Sequence, residues 1–316
     1  MSLVDFLKEL DESVKTVNSS DFDVEIVETD YVPSFSDSSI TYDNHDTKKK
    51  KCKRLESCVL YVDIRNSAKI SASKRPQTLA KVYSSFVSSM LSCARYYGGH
   101  VRNIIGDRVM VVFDKENCFT NAVDTAILMN TVCQNILNKR ITSFEFSAGI
   151  GIDHGDMLIT KSGAIKKGDE KEFYRTLVWL GKPANVASRL TDLANKEIYT
   201  SEQGVKEGLY FPLTNVWNWQ DRTYEDFLNS LKTTFSPTLV HSDDYFSSFF
   251  LTTINHKTTL NSPILMTEKV YNGFKAARPD SDIVINNWFS EKKIDVRDYQ
   301  GKVFGGDVIK KAVNNI

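Results

Sequence analysis

Two aspartates stand where strand-forming sequence alone would not put them. Asp63 interrupts the run Cys58-Val59-Leu60-Tyr61-Val62-Asp63-Ile64, and Asp107 lies in the turn Ile105-Gly106-Asp107-Arg108. Strand interiors disfavour Asp, and a buried carboxylate demands a partner. If the two segments are neighbouring strands, the carboxylates face one another. Left alone, such a pair raises one pKa, and divalent cations held between them relieve the repulsion. That oxygen pair is what Mg²⁺ or Mn²⁺ uses beside nucleotide phosphates. Taken alone, Asp107 reads as a turn or capping residue. A third feature is Asn185-Val186-Ala187-Ser188-Arg189. Asn185 and Arg189 are four apart and share a helix face. A guanidinium fork and an amide together bind phosphate oxygens and a ribose, although the spacing by itself is ordinary on exposed helices.

Little else competes for a chemical role. His45, His100, His154, His241 and His256 are scattered without zinc-site spacing. Cys52, Cys58, Cys93, Cys118 and Cys133 are odd in number and contain no Cys-x-x-Cys pair, which reads as reduced, buried thiols.

The elements that must position these residues follow from periodicity. Cys58 to Ile64 reads as a buried strand. Thr78 to Tyr97 is a helix with Leu79, Val82, Tyr83, Phe86 and Met90 on one stripe, ended by Gly98-Gly99. His100 to Ile105 and Arg108 to Phe113 form a hairpin about Gly106-Asp107. Asn117 to Leu137 is a second helix. Phe144 to Ile152 and Asp156 to Thr160 read as strands on either side of a turn. Val178 to Leu180 ends a further strand, and Pro183 to Ala194 is a helix with Pro in its first turn. The order β-α-β-β-α-β is ferredoxin-like, an α+β arrangement with helices on one face of an antiparallel-rich sheet.

Around this core the reading is coarser. The 316 residues are 41% hydrophobic and 25% charged, ordinary globular values. Lys+Arg and Asp+Glu are 40 each, so no basic surplus marks a nucleic-acid binder. No apolar run approaches the ~20 residues of a membrane span, and Met1 to Leu10 lacks signal-peptide character. These features predict a soluble, cytoplasmic protein with neither nucleic acid nor membrane as partner. Twelve acids and two lysines precede Lys48, and six basic residues follow within Lys48 to Arg54. Residues 1–50 read as an acidic segment, with a helix from Leu3 to Val17 and a linker from Ser34 to Thr47. The basic run reads as a solvated face or a partner for nearby acids. Residues 51–316 form the main domain. An insertion at about 196–262 is rich in aromatics (Tyr210-Phe211-Pro212, Trp217-Asn218-Trp219) and includes Ser236-Pro237. The core resumes at Pro263 to Thr267, then Glu268 to Ala277, with closing strands from Trp288 to Ile309 and a turn at Gln300-Gly301.

The stretches VLYVDIRNSAKIS, GGHVRNIIGDRVMVVF, FSAGIGIDHGDMLIT and VWLGKPANVASRL, in this order, resemble the catalytic domain of class III nucleotidyl cyclases. The resemblance covers about Ser57 to Ala194 and the segment after Pro263. It implies that Asp63 and Asp107 bind two Mn²⁺ or Mg²⁺ ions, with the Ile64 carbonyl as a further ligand. It implies that Asn185 orients the ribose and Arg189 stabilises the pentavalent α-phosphate. In this family the site is shared across a homodimer, the aspartates coming from one subunit and Asn185 and Arg189 from the other. Lys302 could match the family's late phosphate-binding lysine, although the insertion spoils the register and an exposed surface lysine is the simpler reading.

Departures from the family point to the substrate. Where adenylate-type enzymes carry a base-reading lysine, this chain has Asn103, and where they carry Asp or Thr it has Val178. Val178 offers an adenine N6 group no hydrogen bond, a loss of ~1–3 kcal/mol. Asn103 offers an acceptor and two donors on a short side chain. This pattern resembles the bacterial Pycsar pyrimidine cyclases, which make cyclic UMP or cyclic CMP in anti-phage defence for a separate effector. UTP is the expected substrate, with CTP, a purine nucleotide and a non-catalytic pseudo-cyclase as successive alternatives. A diguanylate cyclase fits poorly, because Gly305-Gly306-Asp307 lies at the wrong end and is followed by Val308.

Overall fold

The computed structural model describes residues 1–142, 144–162, 164–165, 177–235 and 238–312. Ser236 and Pro237 of the expected insertion lie outside the described residues. The chain divides into two compact units, Met1–Lys196 with Asn261–Ile316, and Glu197–Leu260.

The first unit is organised by the strand Lys49–Ile64, 16 residues long. Its second half lacks polar alternation, and Cys58, Val59, Leu60 and Val62 are all buried, so both faces of the sheet must be covered. On one side it pairs antiparallel with Ala148–Lys161, placing Asp63 opposite Gly149. On the other it pairs with Arg108–Phe113 through Val59–Val62, which in turn pairs with Gly99–Ile105. With the helices Pro76–Tyr96 and Cys118–Thr131 between them, these strands make the ferredoxin-like unit. The second helix continues as a π-turn, Val132–Leu137. Both helices, together with Glu268–Ala277, bury Val82, Phe86, Ala122, Ala126 and Phe274 against Leu60, Val62 and Val111.

Three features depart from the sequence reading. Helix Lys182–Leu193 covers the opposite face, where Ala184 and Ala187 pack with Val59, Met110, Val112 and Met157; the expectation of one covered face holds only for the other helices named. The expected break between Ile152 and Asp156 is absent. Pairing with the long central strand carries Ala148–Lys161 straight through Gly155, opposite Ser57. The boundary expected at residue 50 falls inside the central strand, because Asp23–Glu28 adds a parallel strand against Lys49–Arg54. There the basic run meets its acids: Lys51–Glu25 at 3.2 Å, Lys50–Asp43 and Lys53–Asp37 at 2.7 Å, with Lys48–Asp21 and Arg54–Glu28 beside them. Within the expected linker, Ile40 and Tyr42 are buried.

The sheet closes with Ile264–Thr267, parallel to Ala148–Lys161 through Ile150–Ile152, then Val303–Gly306 and Ser290–Lys292. Helix Leu3–Val17 is held at its start by a reciprocal Ser2–Asp5 capping box and buries none of its own residues. All five cysteines are buried and free. The second unit is a three-stranded antiparallel sheet, Val216–Thr223, Glu197–Phe211 and Phe246–Leu260. Tyr210, Trp217, Trp219 and Phe250 line up along it at ring separations of 5.1 to 5.3 Å. Among the described residues, no helix is long and apolar enough to cross a membrane.

Candidate active site

The hairpin turn at Gly106 has φ +62°, which favours glycine, and it returns the chain so that Asp107 reaches Asp63. The Asp107 carboxyl titrates above its ordinary 3.8, first because burial penalises its charge and next because Asp63 stands within hydrogen-bonding reach. Ser67, in helix Ser67–Ser73, also bonds to Asp107. The Asp107 Oδ2 atom is nonetheless buried without a hydrogen-bond partner. Asp63 Oδ2 accepts from Arg108 Nη2 at 2.8 Å and lies 3.9 Å from Arg65 Nη2. Ile64 turns its side chain into the core, so only its main chain can serve a ligand.

This donor set suits a hard divalent cation. Two carboxylates converge, and one presents an orphaned oxygen that a cation would satisfy. Among the described residues no group of three or more His, Cys, Asp or Glu side chains forms a complete cage. A cation on this pair would therefore draw its remaining oxygens from water and substrate phosphates, as Mg²⁺ commonly does.

Helix Lys182–Leu193 lies against the sheet at Gly151. A Cβ there would come within 2.3 Å of the Ala187 carbonyl oxygen and 2.4 Å of the Thr191 amide nitrogen. Two arginines tie this helix to Asp63. Arg65 donates to the Thr191 carbonyl at 2.8 Å and the Asp192 carbonyl at 3.4 Å, a favourable place for a cation at a helix C-terminus. Arg108 reaches Ser188 Oγ at 3.0 Å and the Asp192 carboxylate. On the same helix Asn185 is exposed, while Arg189 pairs with Asp298 at 2.6 Å and donates to the Arg297 carbonyl.

The expected site residues thus fall into groups. Asp63, Ile64 and Asp107 come together. Asn185 and Arg189 share the helix whose Ser188 and Asp192 reach Arg108, but among the described residues neither bonds to Asp63 or Asp107. Asn103 is exposed on Gly99–Ile105, beside an irregularity in register after Val101. Val178 is half-buried on Leu177–Leu180, opposite Thr160. Three strands separate these two in the sheet order. Lys302 is exposed and paired with Glu291 at 2.8 Å, which raises its pKa.

The sequence reading missed Arg65, Arg108, Ser188 and Asp192. Arg65 and Arg108 did carry a local signal, since each follows a candidate metal aspartate within two positions. Ser188 and Asp192 carried none, because their relevance depends on a helix crossing the far face of the sheet.

Comparison with known proteins bears on this arrangement. The family model for the adenylate and guanylate cyclase catalytic domain matches residues 50–209. A uridylate cyclase of Burkholderia cepacia is 31% identical over 177 residues, 54% of this chain and 72% of that protein. A uridylate cyclase of Xanthomonas perforans is 30% identical over 199 residues, 60% of this chain and 82% of that protein. The solved structure of a bacterial light-regulated adenylyl cyclase aligns over 82% of this chain and 54% of its own, with a TM-score of 0.49 and 14% identity. With the family model matched over half of its length and these relatives beside it, the chain belongs to the adenylate and guanylate cyclase catalytic-domain family, the class III nucleotidyl cyclases.

Proposed function

We propose that the protein is a pyrimidine nucleotidyl cyclase that converts UTP to 3′,5′-cyclic UMP and pyrophosphate, working as a homodimer with two divalent cations, Mn²⁺ or Mg²⁺, at each site. The observation that carries the cyclase reading is the Asp63–Asp107 pair with its unpartnered Oδ2. Uridylate specificity is supported by the similarity to proteins named uridylate cyclases and by Asn103 and Val178 at the base-reading positions.

In this reading Asp63, Asp107 and the Ile64 carbonyl hold the cations. When bound, these neutralise charge on the α-phosphate and make the ribose 3′-hydroxyl a better nucleophile. The remaining work belongs to side chains. Asn185 holds the ribose so that its 3′-oxygen lies in line with the bond to pyrophosphate. Arg189 places a guanidinium against the oxygens of the pentavalent phosphate, where charge grows during the reaction. Both come from the partner subunit, and the exposure of Asn185 supports that division. Asn103 presents an amide to the smaller base, while Val178 leaves a purine edge unsatisfied. Lys302 would contribute to the phosphates only after leaving Glu291. The cyclic nucleotide serves as a second messenger for a separate effector in bacterial anti-phage defence, a role that rests on the likeness to Pycsar cyclases.

The test is incubation of the purified protein with Mn²⁺ or Mg²⁺ and each of the four nucleoside triphosphates, with products identified by mass. Cyclic UMP as the main product is expected. Cyclic CMP in its place makes the protein a cytidylate cyclase. Equal turnover of ATP or GTP overturns the pyrimidine reading, and no product from any nucleotide overturns catalysis itself.

A further inference from the structure

Arg108 bonds to the carboxylate, Asp63, that the cyclase reading gives to a cation. Its Nη2 is shared between Asp63 Oδ2, at 2.8 Å, and the Asp192 carboxylate, while its Nη1 donates to Ser188 Oγ at 3.0 Å. The guanidinium is a fork of five donors. If Asp63 is taken away, the same fork keeps Asp192 and Ser188 and is not left unpaired. The exposures are graded to match: the Asp63 side chain is 17% exposed, Arg108 27% and Asp192 56%. The arginine therefore has one partner inside the site and another at its rim. Arg65 is not the mobile one, because the Thr191 and Asp192 carbonyls hold it at the helix end, 3.9 Å from Asp63. Asp107 keeps Oδ2 unpartnered, so the site is guarded at one carboxylate and open at the other.

We propose that Arg108 is a resident cation on the metal-binding carboxylate, which passes to Asp192 and Ser188 when a divalent ion takes Asp63, so that Asp192 sets how readily the site loads. The inference rests on reading Asp63 and Asp107 as metal ligands. It makes Arg108 and Asp192 positioning residues, neither of which contacts the nucleotide.

The experiment measures Mn²⁺ binding to the full-length protein without nucleotide, from the free-ion signal in electron paramagnetic resonance. Arg108→Gln removes the competing cation and should tighten Mn²⁺ binding about tenfold. Asp192→Asn removes the receiving carboxylate and should weaken binding about fivefold. In the Arg108→Gln background, Asp192→Asn should change nothing beyond about twofold, since there is no guanidinium left to receive. Arg108→Lys keeps a charge without the fork and should tighten binding about threefold; it carries the test if Arg108→Gln does not fold. The concentration of Mn²⁺ giving half-maximal rate should move with these affinities, while kcat at saturating Mn²⁺ stays within about threefold. Unchanged or weaker binding in both Arg108 variants overturns the proposal. So does an Asp192→Asn penalty that persists in the double variant, which would mean that Asp192 acts on the ion through space. An Asp63→Asn control separates the two levels: if it binds Mn²⁺ as the natural protein does, the reading of Asp63 as a ligand has failed, whatever Arg108 does.

Discussion

The hairpin end of the site and the Asn185–Arg189 face of helix Lys182–Leu193 differ in how far one chain completes them. At the hairpin, Asp63 and Asp107 converge, both arginines beside them bond through their terminal nitrogens, and a carboxylate oxygen, Asp107 Oδ2, is left buried without a partner. On the helix, Asn185 is exposed and Arg189 is occupied by the Arg297–Asp298 loop of its own chain. On the proposed reading, the unpartnered carboxylate oxygen on one side and the Asn185 amide and Arg189 guanidinium on the other would be two halves of phosphoryl-transfer chemistry. The contrast teaches that, within one chain, the two aspartates are brought together while, among the described residues, the Asn185–Arg189 pair bonds elsewhere or not at all.

The strongest way to break this comparison is at the hairpin. Asp63→Ala or Asp107→Ala should lower product formation by about 10³-fold or more, with helix content and dimer retained, because on the proposed reading each removes a metal ligand at the reacting phosphate. Activity close to that of the natural protein in either variant, or in excess chelator, ends the assignment. The halves can next be separated by mixing. Asp63→Ala and Arg189→Ala, each inactive alone, should form heterodimers with one doubly damaged and one intact site, and recover up to about half the natural activity per heterodimer. Heterodimers that form and stay silent would place both halves in one chain.

Smaller effects sharpen the picture. We expect at least tenfold higher kcat/KM for UTP or CTP than for ATP or GTP, about 1.4 kcal/mol of discrimination. Asn103→Ala should reduce that preference to about threefold or less, read from initial rates with each nucleotide. Asp298→Ala frees Arg189 from an exposed ion pair. Such pairs contribute about 0–1 kcal/mol, so kcat should change by no more than about fivefold. The least effect concerns pH. Burial and Asp63 raise the Asp107 carboxyl above 3.8, so the folded chain holds that proton more tightly than the unfolded chain. In chelator, this contribution to stability is present below pH 3.8 and is lost as pH rises through the folded value. Melting curves against pH should show the decline, and Asp107→Asn should flatten it.

Much of the hairpin was legible because its information is local. An aspartate in an apolar strand and another in a Gly-Asp turn announce themselves at their own positions. Helix Lys182–Leu193 was legible as an element, and its Asn–Arg spacing as a pair, but not the face it covers. That depends on Gly151, where the strand has no side chain to keep the Ala187 and Thr191 backbone away. The acidic segment was read as a helix and a linker without a strand, because Asp23–Glu28 mixes acids with Val and Ile, stays exposed, and becomes a strand only against Lys49–Arg54. Pairing partners distant in sequence leave no periodic trace, and for the same reason Asp192 passed unnoticed as a partner of Arg108.

The second unit leaves and re-enters the first at a narrow neck. Glu197 pairs with Leu260, the Asn261 amide donates to the Lys196 carbonyl at 3.0 Å, and the Asn195 amide donates to the Ser262 carbonyl at 3.0 Å. To the catalytic sheet, this excursion from Glu197 to Leu260 is topologically a hairpin loop whose two ends are already clasped. Chain-closure entropy grows only with the logarithm of loop length, so once the neck forms, the length of what lies beyond it scarcely affects how the sheet assembles. The neck is thus a natural splice point: Lys196 and Asn261 can be joined by a short turn, or the unit between them exchanged for another, without asking the strands on either side to find new neighbours.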